Sequence, residues 1–149
     1  MQIARRNVVL GMAGLPLAAV LADPRLAWAA AQSLENVSLT TDGGLNVAAA
    51  LAVPAQTPAP AILLVHEWWG LNDQIKTMAA DLAKQGYLAL AVDLYNGHVT
   101  DKPDEARKLV GGVDGAAATD TVGSWLRWLK GHQLASGKSA TIGWCFGGG

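Results

Sequence analysis

The chain has 149 residues, 51% of them hydrophobic and 15% charged, with 17 Gly, 6 Pro, one Cys and a formal net charge of −1. That length suits one ordinary domain, and the composition excludes a disordered charged tail, a collagen-like repeat and a disulfide scaffold. The near-neutral charge leaves no electrostatic footprint for nucleic acid.

Residues 1–31 predict an export signal, leaving 32–149 as the mature domain. Arg5 and Arg6 form a charged start, Val8–Ala22 is an uncharged and mostly apolar run, and small residues follow at Ala27-Trp28-Ala29 and Ala29-Ala30-Ala31. A membrane-spanning helix needs about 20 apolar residues, and Asp23, Pro24 and Arg25 close this run early. A cleaved signal is therefore expected rather than a stable membrane anchor. The arginine pair resembles the twin-arginine export motif, with Ala4 and Val8 departing from it; the general secretory route is the alternative. Either route implies a periplasmic or secreted protein of bacterial type. Cys145 would then sit unpaired in an oxidising compartment, either buried and inert or kept free for chemistry.

Strand and helix signals alternate through the mature domain. Leu45–Val53 alternates with period two, and Asp42-Gly43-Gly44 joins it to Glu35–Thr41 as a hairpin. Pro54–Pro60 reads as an extended connector. Ala61–Val65 is a short continuous apolar run, typical of a strand covered on both faces. Ile75, Met78, Ala79, Leu82 and Ala83 fall at helical spacing between Asn72 and Gln85, and Gly86 stops that helix. Tyr87–Val92 is the next buried strand. Helices are predicted over Asp104–Val110 and Thr119–Lys130, the second with Val122, Trp125, Leu126 and Leu129 on one face. Ala140–Gly143 is a fifth strand. This order predicts an α/β fold with a mostly parallel, doubly wound sheet and an antiparallel hairpin at its start.

Gly143-Trp144-Cys145-Phe146-Gly147 has the pattern Gly-x-nucleophile-x-Gly. A nucleophile between strand and helix occupies a tight, strained turn, where side chains two residues before and after would collide. Such a turn projects the thiol above the sheet at a helix N-terminus, which favours the thiolate. The Phe146 N–H is then placed to receive an oxyanion. The plain alternative is a buried cysteine in a glycine-rich strand end; the strand before it and the residues around 66 favour the elbow.

Those residues are His66-Glu67-Trp68-Trp69-Gly70-Leu71-Asn72. Together with Gln85-Gly86-Tyr87, Val92-Asp93-Leu94-Tyr95 and Gly-Trp-Cys-Phe-Gly-Gly, in that order, they resemble the dienelactone hydrolase family of α/β-hydrolases over residues 35–149. The resemblance implies a cofactor-free, metal-free hydrolase of small esters or lactones, of the carboxymethylenebutenolidase type. It assigns Cys145 as nucleophile, Glu67 as the acidic residue that contacts the resting thiol and helps deprotonate it, and the N–H groups of Trp68 and Phe146 as the oxyanion hole. A carboxylate beside a thiol raises the thiol pKa until it is displaced. Trp68 and Trp69 either line an acyl pocket or pack in the core; Trp69 and His98 are carried as substrate contacts.

The family triad continues with an Asp and a His after the elbow, whereas His66, His98 and His132 all precede it. The expectation is a chain cut from a longer hydrolase, inactive alone and prone to aggregate because its last strand would lie bare. His66 fits packing or a loop hydrogen bond, and His132 a helix-end role. Pro103 stands where dienelactone-specific members hold the substrate carboxylate with arginine, leaving Lys102 or Arg107 as substitutes or as plain surface charges. Asp93 fits a loop-stabilising role. No metal-ligand spacing and no phosphate-cradling glycine pattern is present. The rival from another class is a secreted, non-catalytic α/β module that binds a ligand or partner. Oligomeric state is not legible.

Overall fold

The computed structural model describes residues 14–149. The Arg5-Arg6 pair and the first part of the apolar run lie outside the described residues. Helix α1 (Leu17–Ala22) leads into α2 (Pro24–Ala31), where Asp23 caps α2 by accepting the Arg25 N–H at 2.9 Å.

Strands β1 (Glu35–Thr40) and β2 (Asn46–Ala52) form the expected antiparallel hairpin, with Thr40 opposite Asn46 and Glu35 opposite Leu51. Strand β3 (Ala59–Val65) begins inside the predicted connector. The Ala59 N–H donates to Leu134 O at 2.9 Å, and the register shifts between Ala59 and Ala61. Pro60, which has no N–H to give, is tolerated at that irregularity.

Helix α3 (Asp73–Lys84) starts where Asn72 accepts the Ile75 N–H at 3.1 Å and stops before Gly86, whose φ is +95°. Strand β4 (Leu88–Val92) is buried throughout. Helices α4 (Pro103–Gly111) and α5 (Gly115–Gly131) come next. The latter starts a turn before the predicted Thr119 because Asp114 caps it, accepting the Ala117 N–H at 2.8 Å. Strand β5 (Ala135–Gly143) is longer than the apolar signal at Ala140, since Gly137 and Lys138 give no strand pattern.

The sheet order is β1-β2-β4-β3-β5, with β3, β4 and β5 parallel and β2 antiparallel to β4. Alternate side chains face opposite layers. Leu63, Val65, Leu88, Leu90 and Val92 pack with Trp125 and Leu129 of α5, while Leu64, Ala89 and Ala91 pack with Ile75, Ala79 and Ala83 of α3. Alanines on the α3 side admit a close helix. Helix α2 lies against α3, with Ala30 packed near Ala80 and the Thr77 hydroxyl donating to Ala27 O at 3.1 Å.

On its second side β5 has no strand partner among the described residues, and Ile142 is exposed. The carboxyl ends of β3, β4 and β5 point the same way and gather three loops, the usual place for a ligand site in such a sheet.

Candidate active site

The loop after β5 is an elbow. Trp144 is extended, and Cys145 then takes φ +53°, shared among described non-glycine residues only with Asn96. Such a conformation costs about 1–3 kcal/mol and persists only where its surroundings impose it. Here they do. A Cβ on Gly143 would collide with Gly147 O, and one on Gly147 would stand 2.6 Å from Val65 O and 2.8 Å from His66 O. The Gly147 N–H donates to Trp144 O at 2.9 Å and closes the turn. Cys145 is exposed. The four residues from Cys145 to Gly148 form a 3-10 turn, so the chain begins to coil directly after the strained residue.

The loop after β3 is locked by His66, which is fully buried. The Leu94 N–H donates to its Nε2 at 3.1 Å, so the proton sits on Nδ1, which donates to Glu67 O at 2.6 Å. Burial pulls the His66 pKa below 6.5, against the Glu67 carbonyl and the Asp93 carboxylate, which favour the charged ring. His66 is thus a loop clasp, as its sequence position predicts.

Gly70 (φ +89°) has no room for a side chain beside His98 O, and the Thr100 N–H donates to Trp69 O at 3.1 Å. The β3 and β4 loops are therefore pinned together. Glu67, Trp68 and Trp69 are each half-buried, with the two indoles edge to face at 4.7 Å. Gly70 and Asn72 commit their N–H groups to turn bonds, whereas among the described residues no such bond engages the Trp68 N–H.

After β4, Asp93 accepts the N–H groups of Tyr95 at 2.8 Å and Gly97 at 2.5 Å, the loop-stabilising role expected of it. Tyr95 is 4% exposed, its ring 4.6 Å from His66 and 5.5 Å from Phe146. Its hydroxyl is buried without a hydrogen-bond partner, an arrangement that costs about 1–3 kcal/mol. Burial first, and charge on Cys145 second, raise its pKa above 10. Sequence reasoning missed Tyr95 as a site residue, although it closes the Val92-Asp93-Leu94-Tyr95 motif.

The remaining candidates lie further out. His98 is exposed. Lys102, the residue before α4, pairs with Glu105 at 3.4 Å, and Arg107 pairs with Asp104 within α4 at 2.6 Å, all four side chains being exposed. His132 caps α5, its Nδ1 accepting the Leu134 N–H at 3.3 Å. An apolar cleft of about 650 Å³ runs beside the elbow, lined by Val65, Leu94, Val122, Phe146 and Gly147.

Residues 47–149, which hold both the elbow and the β3 loop, match the model of the dienelactone hydrolase family. The chain belongs to the dienelactone hydrolase family.

Among its relatives, the carboxymethylenebutenolidase of Pseudomonas putida is 30% identical over 123 residues, covering 76% of this chain and 52% of that one. The carboxymethylenebutenolidase of Pseudomonas sp. strain P51 is 29% identical over 129 residues, with the same shares. Among solved structures, m3DLH superimposes with a TM-score of 0.64 at 30% identity, covering 77% of this chain and 51% of that one. The dienelactone hydrolase-like promiscuous phosphotriesterase P91 from metagenomic libraries gives 0.65 at 27% identity, again over 77% and 51%. The chain spans about half the length of these relatives. Among its described residues, this family member has no group of three His, Cys, Asp or Glu able to hold a metal ion, and no helix long and apolar enough to cross a membrane.

Proposed function

We propose that the whole protein hydrolyses small carboxylic esters or lactones through a Cys145 thiolate. The carrying observation is the left-handed backbone at Cys145, held by two glycines with no room for a side chain and presenting an exposed sulfur. Only a site needing that atom in that place justifies the strain. Glu67 takes the thiol proton when substrate arrives. The sulfur attacks the acyl carbon, and the oxyanion rests on the N–H groups of Trp68 and Phe146. Collapse breaks the C–O bond, leaves a thioester and expels an alkoxide, which takes a proton from a histidine. The same histidine then takes a proton from water, which attacks the thioester, and the thiolate is released with the carboxylic acid.

That histidine and its orienting aspartate belong, in this reading, to sequence beyond residue 149. His66 is committed to two backbone groups and His132 to a helix end. Residues 1–149 alone are accordingly proposed to lack turnover. Trp69 and His98 are assigned to substrate contact. The composition of residues 1–31 supports export, which puts the mature enzyme in the periplasm or outside the cell. The family match favours this reading over a non-catalytic binding module.

The test is turnover of p-nitrophenyl esters by the whole protein. Cys145→Ala is expected to lower kcat by about a thousandfold or more, and Glu67→Gln by about ten- to a hundredfold. Full activity in Cys145→Ala overturns the reading.

A further inference from the structure

The described residues bury two side-chain polar atoms without a hydrogen-bond partner, Trp125 Nε1 and the Tyr95 hydroxyl. Trp125 lies in the core between α5 and the sheet. Tyr95 lies at the strand ends, and its ring is wedged between the β3 loop and the elbow. On one side is His66, the residue before Glu67, with ring centroids 4.6 Å apart. On the other is Phe146, the residue after Cys145, at 5.5 Å. The edge of the ring closes on Gly70, where an added Cβ would meet Tyr95 Cδ2 at 3.3 Å. The phenol is thus held fast while its polar atom is left unused.

The neighbours narrow what that atom is for. The segments packed against Tyr95 carry His66 and Glu67 after β3, Asp93 and His98 on its own loop, and Cys145 in the elbow. Both His66 nitrogens are engaged with the backbone, and Asp93 is filled by the N–H groups of Tyr95 and Gly97. His98 is exposed. A neutral thiol is a weak acceptor, whereas a thiolate accepts strongly. We propose that the Tyr95 hydroxyl is a catalytic hydrogen-bond donor to Cys145, engaging the sulfur once it is ionised. The inference rests on Cys145 being the nucleophile of the proposed hydrolase. No proton leaves Tyr95: the thiol proton goes to Glu67, and the phenol keeps its own while donating to the sulfur. Burial and the charge on Cys145 both hold the phenol protonated, so it remains a donor when the thiolate forms.

In the whole protein, the pH dependence of iodoacetamide alkylation, read at the peptide that carries Cys145, the one cysteine of residues 1–149, reports the ionisation of that thiol. Tyr95→Phe is expected to raise the thiol pKa by about one unit and to slow alkylation at pH 7 by up to about tenfold. The melting temperature should not fall, because only an unpaired hydroxyl is removed. The same shift is expected in a Glu67→Gln background, since the donor acts on sulfur. An unchanged thiol pKa, or a shift that vanishes with Glu67→Gln and so assigns the hydroxyl to the carboxylate, overturns the proposal.

A second measurement reads the other partner. The Tyr95 phenol, followed by absorbance at high pH, should titrate lower in Cys145→Ala than in the unaltered chain, and an unchanged midpoint overturns the proposal. If Cys145→Ala abolishes ester turnover by the whole protein while Tyr95→Phe leaves the thiol pKa unmoved, the hydrolase reading stands and this one falls. Retained turnover in Cys145→Ala removes the hydrolase reading itself.

Discussion

The elbow at Gly143–Gly147 and helix α4 at Pro103–Gly111 both flank the strand ends, and both match segments to which the family resemblance attaches substrate chemistry. They are built in opposite ways. In the elbow, backbone meets backbone so closely that Gly143 and Gly147 have no space for a methyl group, and the one strained residue is the cysteine between them. In α4, charged side chains pair at i,i+3 on an open surface, and Ala106 is the only buried residue. A function written into backbone sterics constrains residue type at each position. One written into exposed charge leaves many solutions open.

The sharpest way to break this contrast is to add one methyl group in each place. Gly143→Ala drives a Cβ into Gly147 O, with backbone on both sides and nothing flexible to yield. The expected loss is about 3 kcal/mol or more in urea unfolding of the whole protein. Gly111→Ala, at the end of α4 with no atom near the added Cβ, is expected to be neutral or to stabilise by up to about 1 kcal/mol. Equal effects at the two sites would show that the elbow relaxes as freely as a helix end.

The same contrast explains what was legible in the sequence. The elements from β1 to β5 were legible from several signals: period-two alternation for β2, the Asp42-Gly43-Gly44 turn for β1, continuous apolar runs for the doubly covered β3 and β4, and helical spacing for α3 and α5. Boundaries failed where something other than hydrophobicity set them. The Asp114 cap starts α5 a turn early, and pairing of Ala59 with Ala135 draws β3 back into a proline-rich connector. At the site, the glycine spacing located Cys145, and chain order, with His66 before the elbow, pointed to packing or a loop hydrogen bond for that histidine. Tyr95 was not legible as a site residue. Its hydroxyl is distinguished only by lacking a partner, which no linear pattern encodes.

His66 ties the β3 loop to the β4 loop and offers the next largest effect. His66→Ala would leave the Leu94 N–H and the Glu67 carbonyl without their partner in a dry site, at a cost of about 2–4 kcal/mol. A pH signature accompanies it. Burial sets the folded pKa below the unfolded value near 6.5, so the contribution of neutral His66 is whole above that pH. It is lost as pH falls from there towards the folded pKa, where the unfolded chain takes up a proton that the folded one refuses. Stability of the unaltered protein should therefore fall as the pH drops below about 6.5, and His66→Ala should flatten that part of the profile. A slope that survives the substitution would move its origin to another group.

The smallest effect is the one that decides whether α4 belongs with the elbow at all. Arg107 and Asp104 have side chains 66% and 88% exposed, and such pairs contribute about 0.3–0.5 kcal/mol. Arg107→Ala should therefore shift unfolding by less than about 0.5 kcal/mol. Its effect on catalysis is the more informative reading. A surface charge engaged with its own helix has no reason to separate an anionic ester from a neutral one, so the ratio of their kcat/KM values should be unchanged. Screening predicts the same result at low and high salt, because an exposed guanidinium is already shared with solvent ions. A tenfold loss confined to the anionic ester would mean that Arg107 leaves Asp104 to hold a substrate carboxylate. Helix α4 would then be a second wall of the site, supplying by an exchangeable charge what the elbow supplies by steric exclusion.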